Sequence, residues 1–308
     1  MARVAIVGCG AMGSVYAALM ADAGHEVFGI TLWPDHAAAI RERGLRVEGA
    51  SGDRTVRIQA GTSTEDIGPC DLVVIATKAF DVEAAGRSAL PLIGPQTVVQ
   101  SIQNGLGSAE RVAPIVGAER LAVGVVGGFG ASLRAPGHVH HNGMAMVRFG
   151  AYGGLPTQLL EASAEIWRSA GFEVKLFRDI ERMIWEKLIM NVTFSGSCAL
   201  TGFTIGEIMT VPEAWRVARG CADEAIAVAR AKGIRLDVGD PIDHIRHLGA
   251  RIANARPSML LDHMAGRRSE IDVINGAIPR AGAEVGVTAP VNETVASLVK
   301  AREVAFAS

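Results

Sequence analysis

The sequence predicts an α/β doubly wound sheet in its first half and an all-helical domain in its second. Three observations carry this reading. The chain opens on an unbroken apolar run, Arg3-Val4-Ala5-Ile6-Val7, that leads straight into Gly8-Cys9-Gly10-Ala11-Met12-Gly13. Short apolar runs then alternate with helical stretches, the pattern of a parallel sheet flanked by helices. After Phe177 the strand-like runs stop and nearly all of the chain reads as helix.

Taken in order, Arg3 to Val7 has the continuous apolar character of a strand buried on both faces. The next six residues spell G-x-G-x-x-G, and Ser14 to Ala23 reads as a helix closed by Gly24. Between a strand and a helix this is the Rossmann-type dinucleotide pattern. Gly8 makes the tight turn, Gly10 lets the backbone approach a pyrophosphate, and Gly13 lets helix and strand pack closely. With Ala11 and Met12 these residues set free N–H groups under the phosphates. The bland alternative is a glycine-rich turn.

Glu26 to Thr31 is the second strand. Leu45 to Glu48 and Val56 to Ile58, separated by Ser51-Gly52-Asp53, form a small hairpin. Asp71 to Ala76, Thr97 to Ile102 and Leu121 to Val126 are further buried strands, and Val139 to His141 with Met146 to Phe149 is expected to close the sheet as an antiparallel pair. Ile180 to Val192 is amphipathic. Pro212 to Lys232 is a long helix with proline in its first turn and Gly233 past its end. More helices are expected at Pro241 to Asn254, Glu270 to Val285 and Val291 to Val304. The boundary falls near Arg178, giving a dinucleotide-binding domain over 1–178 and a helical substrate domain over 179–308.

Bulk properties exclude several classes. Thirty basic against 32 acidic residues leave a net charge of −2, with no basic block to suit nucleic acid or an anionic membrane. No apolar run reaches the length of a membrane helix, and no signal-peptide pattern opens the chain. Cys9, Cys70, Cys198 and Cys221 form no C-x-x-C pair and read as reduced thiols of a cytoplasmic protein. His138-Val139-His140-His141 looks like a metal cluster, but alternation would put 138 and 140 on one face and 141 on the other, with no acid or cysteine beside them in sequence. Strand-and-turn histidines near the sheet edge are the expectation, and no metal.

In such sheets ligands bind beyond the carboxyl ends of the strands. Those ends carry the glycine loop, Thr31, Thr77-Lys78 and Gln103-Asn104-Gly105. Lys78 and Asn104 would face the cofactor, or be a solvated loop lysine and a turn residue before glycine. In the helical half, Lys187 and Asn191 are four apart and share a face, with Ser195 four further on. A plain surface stripe has the same spacing. Ser269 or Arg268 could cap the helix begun by Glu270, with Glu270 and Asp272 in its first turn.

On these residues the chain resembles the ketopantoate reductase (2-dehydropantoate 2-reductase) family. The likeness rests on the glycine loop, the Lys78 loop, Gln103-Asn104-Gly105, Trp185-x-Lys187-Leu188-x-x-Asn191, and Ser258-Met259-Leu260 followed by Ser269-Glu270-Ile271-Asp272-x-Ile274-Asn275-Gly276. It implies NAD(P)H-dependent reduction of a small 2-keto acid, 2-dehydropantoate to pantoate in pantothenate biosynthesis. By the same likeness Lys187 is the general acid, Glu270 its acidic companion, and Asn191 and Ser258 bind substrate. Lys78 and Asn104 then lie near the nicotinamide. The chemistry suits these types: hydride transfer to a keto carbon makes an alkoxide, which a positioned ammonium stabilises and protonates.

Two departures stand out. The family usually has asparagine at the place of Ser195, so a substrate other than ketopantoate is open. NADPH-using members usually carry arginine just past the second strand, and NADH-using Rossmann domains an acid. Thr31 is neither, and Asp35 could reach the ribose or cap the next helix. The family favours NADP as cofactor and the missing arginine argues for NAD. Three alternatives stay open: a 2-hydroxy acid dehydrogenase of the same fold, a β-hydroxy acid dehydrogenase, and a non-catalytic dinucleotide sensor. A homodimer is allowed by the sequence but not indicated by it.

Overall fold

The computed structural model describes residues 1–128, 130–143 and 146–306. The chain forms two compact units: Met1–Gln103 with Gly107–Ile180, and Asn104–Leu106 with Glu181–Ser308.

The first unit is built on β1 (Arg3–Val7), α1 (Ala11–Asp22), β2 (Glu26–Ile30), α2 (Pro34–Arg43), β3 (Leu45–Gly49), β4 (Arg54–Val56), β5 (Gln59–Gly61), β6 (Leu72–Ile75), α3 (Val82–Ser88), β7 (Val98–Ser101), α4 (Ser108–Val116), β8 (Leu121–Val126), β9 (Gly130–Ala135), β10 (His138–Gly143), β11 (Val147–Ala151), α5 (Thr157–Ser169) and β12 (Val174–Leu176). Eight strands make one sheet in the order β12-β11-β8-β7-β6-β1-β2-β5. From β5 to β8 every pair is parallel, and β11 joins β8 antiparallel. The strand order reverses between β1 and β6, the point at which a doubly wound sheet opens a crevice for a ligand. Val4, Ala5, Ile6, Leu72, Val73, Val74 and Ile75 are wholly buried, as their apolar run requires.

A second sheet has the order β4-β3-β10-β9. Its β3–β4 hairpin pairs Leu45 with Val56, but the second strand is Arg54–Val56 and not the expected Val56 to Ile58. The expected pairing of 139–141 with 146–149 does not occur. β10 pairs instead with β3 and β9, while β11 joins the large sheet beside β8. Local spacing suggests a hairpin there, but the two strands find better partners far away in sequence.

Under the sheet, Tyr16, Trp167 and Phe172 pack edge to face at 4.9–5.9 Å between ring centroids. The Trp167 indole N–H donates to Gln100 Oε1 at 2.7 Å, satisfying two buried polar groups at once.

The second unit carries α6 (Ile180–Thr201), α7 (Ile205–Thr210), α8 (Pro212–Ala231), α9 (Pro241–Arg251), α10 (Ser258–Met264), α11 (Ala277–Ala283) and α12 (Pro290–Glu303). α6 runs nine residues beyond the predicted Val192. The starts follow familiar chemistry: Thr204 and Glu207 form a capping box on α7, and the Asp240 carboxylate accepts from the amides of Ile242 and Asp243 on α9.

The expected single helix over Glu270–Val285 is broken. Ile271–Val273 is one 3₁₀ turn, and α11 begins only at Ala277. The Val273 carbonyl accepts from Leu106 N–H at 2.9 Å instead of continuing a helical ladder. Asn275, fully buried, points its amide at the Val192 carbonyl (2.9 Å) and at Asn292 Oδ1 (3.0 Å). Nor do Ser269 or Arg268 cap a helix here. Ser269 gives both its N–H and its hydroxyl to Glu303 Oε1, and Arg268 pairs with Asp272. Among the described residues no helix is long and apolar enough to cross a membrane.

Candidate functional site

The glycine loop divides its work among its three glycines. Gly8 has φ +99°, and a Cβ there would lie 2.5 Å from the Thr77 amide nitrogen. Both facts demand glycine, because the left-handed backbone disfavours a side chain and the end of β6 leaves no room for one. A Cβ on Gly13 would meet the Gly8 carbonyl oxygen at 2.4 Å, so α1 packs tightly on β1. Gly10 differs: a Cβ there would meet nothing within 4 Å. Space, not packing, is what this position keeps open.

α1 begins at Ala11, not Ser14, and no side chain caps it. The amides of Ala11, Met12 and Gly13 are first-turn donors that the helix itself cannot satisfy. Against Gly8 of the same loop, the buried Thr77 hydroxyl has no hydrogen-bond partner. An open cradle at Gly10, three first-turn amides and an orphaned hydroxyl are the features a pyrophosphate would satisfy, so the residues fit a dinucleotide.

Beneath the loop lies a residue that the sequence reading missed. His36 is fully buried; its Nδ1 accepts from Gly137 N–H at 3.0 Å. That bond leaves the proton on Nε2, which sits 3.1 Å from Ser14 Oγ on α1. Burial pushes the His36 pKa down, favouring this neutral form. Its signal in the sequence is faint: a histidine one turn ahead of Ile40 on the apolar side of α2.

At the end of β2, Thr31 is 8% exposed and its hydroxyl accepts from Trp33 N–H at 3.2 Å. Leu32 stands 86% exposed just after it, and Trp33 stacks on His36 with rings 9° from parallel. Asp35 is the second residue of α2, whose N-cap is Trp33, so it does not cap that helix. Arg41 Nη1 donates to the Ala60 carbonyl at 2.9 Å. Half-buried Lys78 follows β6, at the start of a 3₁₀ turn. Gln103 holds the ends of β6 and β7 together, donating to the carbonyls of Ile75 (2.7 Å) and Thr77 (3.1 Å) and accepting from Ser101.

In the second unit the segment Asn104–Leu106 lies on the Glu270–Val273 turn. Gly105 has φ +82° and a Cβ there would fall 2.1 Å from the Val273 carbonyl oxygen, so only glycine lets the segment close down. That contact brings Asn104 Nδ2 to 3.3 Å from Glu270 Oε2. Glu270 is 7% exposed.

Lys187 and Asn191, both half-buried, lie one turn apart on α6, and Ser195 one turn on is buried. Ser258, exposed, is the first residue of α10. Asn275 of the sequence block is structural, tying α6 to α12.

The histidines sit on β10 of the second sheet, an interior strand between β3 and β9 and not at the sheet edge as expected. Parallel pairing with β3 brings in an acid that local sequence does not show: Glu48 lies 3.2 Å from His138 Nε2 and 3.4 Å from His140 Nδ1. Burial pushes the Glu48 carboxyl up, but His138, His140 and Arg46 together hold it below its ordinary value. Arg46 and Arg134 crowd the same carboxylate at 3.5 and 3.8 Å, which is poor company for a cation. All four thiols are buried; burial pushes Cys9 and Cys70 up to about 11 and Cys198 and Cys221 to about 12, so all are inert near neutrality.

Comparison with known proteins agrees with this geometry. The family model described as ketopantoate reductase PanE/ApbA matches residues 4–154, and that of the PanE/ApbA C terminus matches residues 179–303. The 2-dehydropantoate 2-reductase of Archaeoglobus fulgidus is 33% identical over 301 residues, 98% of each chain. The PanE/ApbA family ketopantoate reductase of Ralstonia eutropha JMP134 superimposes with a TM-score of 0.90 at 31% identity, over 99% of this chain and 100% of that one. A D-mandelate dehydrogenase in ternary complex with NADH and anilino(oxo)acetate superimposes with a TM-score of 0.91 at 27% identity, over 99% of each. The chain belongs to the ketopantoate reductase family of NAD(P)-dependent oxidoreductases.

Proposed function

We propose that the protein reduces 2-dehydropantoate to pantoate, with NADPH as the preferred hydride donor and Lys187 as general acid. When bound, the cofactor supplies a hydride to the keto carbon. The rest is the work of this chain. The amides of Ala11 to Gly13 hold the pyrophosphate, and Gly10 leaves room for it. Lys78 and Asn104 lie near the nicotinamide in this reading. The Lys187 ammonium stabilises the alkoxide as it forms and gives it a proton. Asn191, Ser195 and Ser258 hold substrate through neutral hydrogen bonds. The observation that carries the reading is the buried Glu270 carboxylate gripped by Asn104, since a dinucleotide sensor has no need of a buried, oriented acid.

Cofactor preference is expected to be modest. The Thr31 hydroxyl oxygen accepts from Trp33 N–H, and the residue offers no charge to a 2′-phosphate.

A second reading is favoured by one residue. Ser195 is smaller than the family asparagine, so a 2-hydroxy acid with a bulkier side chain fits the same face of α6. The similar D-mandelate dehydrogenase, solved with NADH and anilino(oxo)acetate, supports this reading. Steady-state rates for a panel of 2-keto acids, each with NADPH and NADH, decide between them. Highest kcat/KM on 2-dehydropantoate supports the first reading; highest kcat/KM on an aryl 2-keto acid supports the second. No turnover of any member overturns both.

A further inference from the structure

Glu303 is the last residue of α12, and its side chain is only 9% exposed. Both placements are unfavourable for an acid. The C-terminal end of a helix carries partial negative charge, which repels a carboxylate. Burial strips the carboxylate of its water, so it needs donors from the protein. Two other segments of the helical unit supply them. Glu303 Oε1 accepts from Ser269 N–H at 2.8 Å, from the Ser269 hydroxyl at 2.6 Å and from His263 Nε2 at 3.1 Å. An ionised carboxylate only accepts, so the proton of the last bond belongs to His263.

Both segments carry site candidates. His263 belongs to α10, whose first residue is Ser258. Ser269 is the residue before Glu270. With its N–H and its hydroxyl both held, Ser269 has little freedom, and the place of the Glu270 backbone follows from it. The chain is held again beyond Glu270. Lys300, one turn before Glu303 on α12, lies 3.0 Å from Asp272 Oδ1, and the Val273 carbonyl accepts from Leu106 N–H. The Lys300–Asp272 pair is exposed and therefore weak. The bonds to Glu303 are buried and charge-assisted, which makes them the stronger hold.

We infer that Glu303 is a positioning residue for the reductase reaction: through Ser269 it fixes Glu270 in the orientation at which Asn104 meets it. The inference rests on the reading of Glu270 as an active-site acid. Moving a reacting group by about 1 Å costs about 10²-fold in rate. Release of the segment is therefore felt in kcat and not in cofactor binding.

The test compares Glu303→Ala, Glu303→Gln, Ser269→Ala and Glu270→Gln in the full-length protein, with folding followed by circular dichroism. The rate is kcat on the 2-keto acid that the wild type reduces fastest, and NAD(P)H affinity is read by fluorescence titration. Glu303→Ala should lower kcat about 10- to 100-fold with cofactor affinity near wild type. Glu303→Gln keeps an acceptor oxygen in the same place and should turn over about threefold to tenfold faster than Glu303→Ala. Ser269→Ala loses only the hydroxyl and should lower kcat about threefold to tenfold, which carries the test if Glu303→Ala does not fold. In a Glu270→Gln background either change should cost no more than about twofold, because the group being positioned is gone. Equal losses in both backgrounds would make Glu303 a plain stabiliser and overturn the proposal. Wild-type kcat in Glu303→Ala or Ser269→Ala beside a slow Glu270→Gln overturns the proposal alone. Full kcat in Glu270→Gln overturns the reading of Glu270, and the proposal with it.

Discussion

Asn104 and Glu270 are 166 residues apart in the chain and share a hydrogen bond of 3.3 Å between Nδ2 and Oε2. The bond depends on Gly105, whose neighbourhood against Val273 admits no side chain, and on the 3₁₀ turn that interrupts the last stretch of the sequence block. One contact within the second unit therefore holds Asn104 against the acid. A hydrogen bond to a charged group is worth about 1.5–3 kcal/mol, or roughly 10- to 100-fold in an equilibrium or rate. Asn104→Ala should lower kcat/KM within that range and cost about 1–3 kcal/mol of stability, because it takes one partner from a buried carboxyl group. Asn104→Asp, which faces one carboxylate with another, should also move the acid limb of the pH profile upward. A wild-type pH profile and rate in both variants would separate Asn104 from catalysis.

Lys187→Ala should cut turnover by about 10² to 10⁴, the usual share of general acid catalysis. Cofactor affinity, read by NAD(P)H fluorescence titration, should stay near wild type because the glycine loop is untouched. Turnover within a few-fold of wild type would remove Lys187 from the mechanism.

Two glycines of one loop should fail in different ways. Gly10→Val enters open space, so the melting temperature should hold while dinucleotide affinity collapses. Gly13→Val meets the Gly8 carbonyl at 2.4 Å for its first carbon alone, so the fold itself should be destabilised by about 1–3 kcal/mol. Equal melting temperatures for the two would contradict the packing described for α1.

With Thr31 uncharged, the wild type should prefer one cofactor by only about tenfold, since no charge-assisted bond of about 1.5–3 kcal/mol is available. Thr31→Asp should turn preference toward NADH, because a carboxylate accepts from ribose hydroxyls and repels a 2′-phosphate. Leu32→Arg, at an exposed position, should turn it toward NADPH. The readout is kcat/KM for both cofactors in all three proteins. A thousandfold preference in the wild type, or no shift in either variant, would misplace this end of β2 in the cofactor site.

Stability should fall below neutral pH. Burial depresses the pKa of His36 and of His141, so the unfolded chain takes up protons near the ordinary histidine value that the native chain refuses. The stabilisation is complete above that value, about 6.5, and is lost as pH drops through it. Each such group contributes up to about 1.4 kcal/mol per pH unit. Urea melts from pH 7.5 to 5.5 should show a slope that lessens in His36→Gln. An unchanged slope would mean that His36 titrates alike in the native and unfolded states.

The sequence by itself determined the sheet, the glycine loop and the family, because those depend on local patterns. Apolar runs make buried strands, G-x-G-x-x-G makes a phosphate turn, and i, i+4 spacing puts Lys187 and Asn191 on one face of α6. Its errors fall where distant partners outbid local preference. The residues around 139–149 look like a hairpin but pair with β3, β9 and β8 instead. Glu270 to Val285 has the composition of one helix, yet Leu106 captures the Val273 carbonyl and the buried Asn275 is drawn to Val192 and Asn292. Glu48 meets His138 and His140 only because β3 and β10 run side by side. Only the tertiary structure could decide these, since a hydrogen bond between residues a hundred positions apart leaves no period or spacing in the chain. The Asn104–Glu270 bond is of the same kind: each residue was legible as a site candidate, and the contact that orients the acid was not.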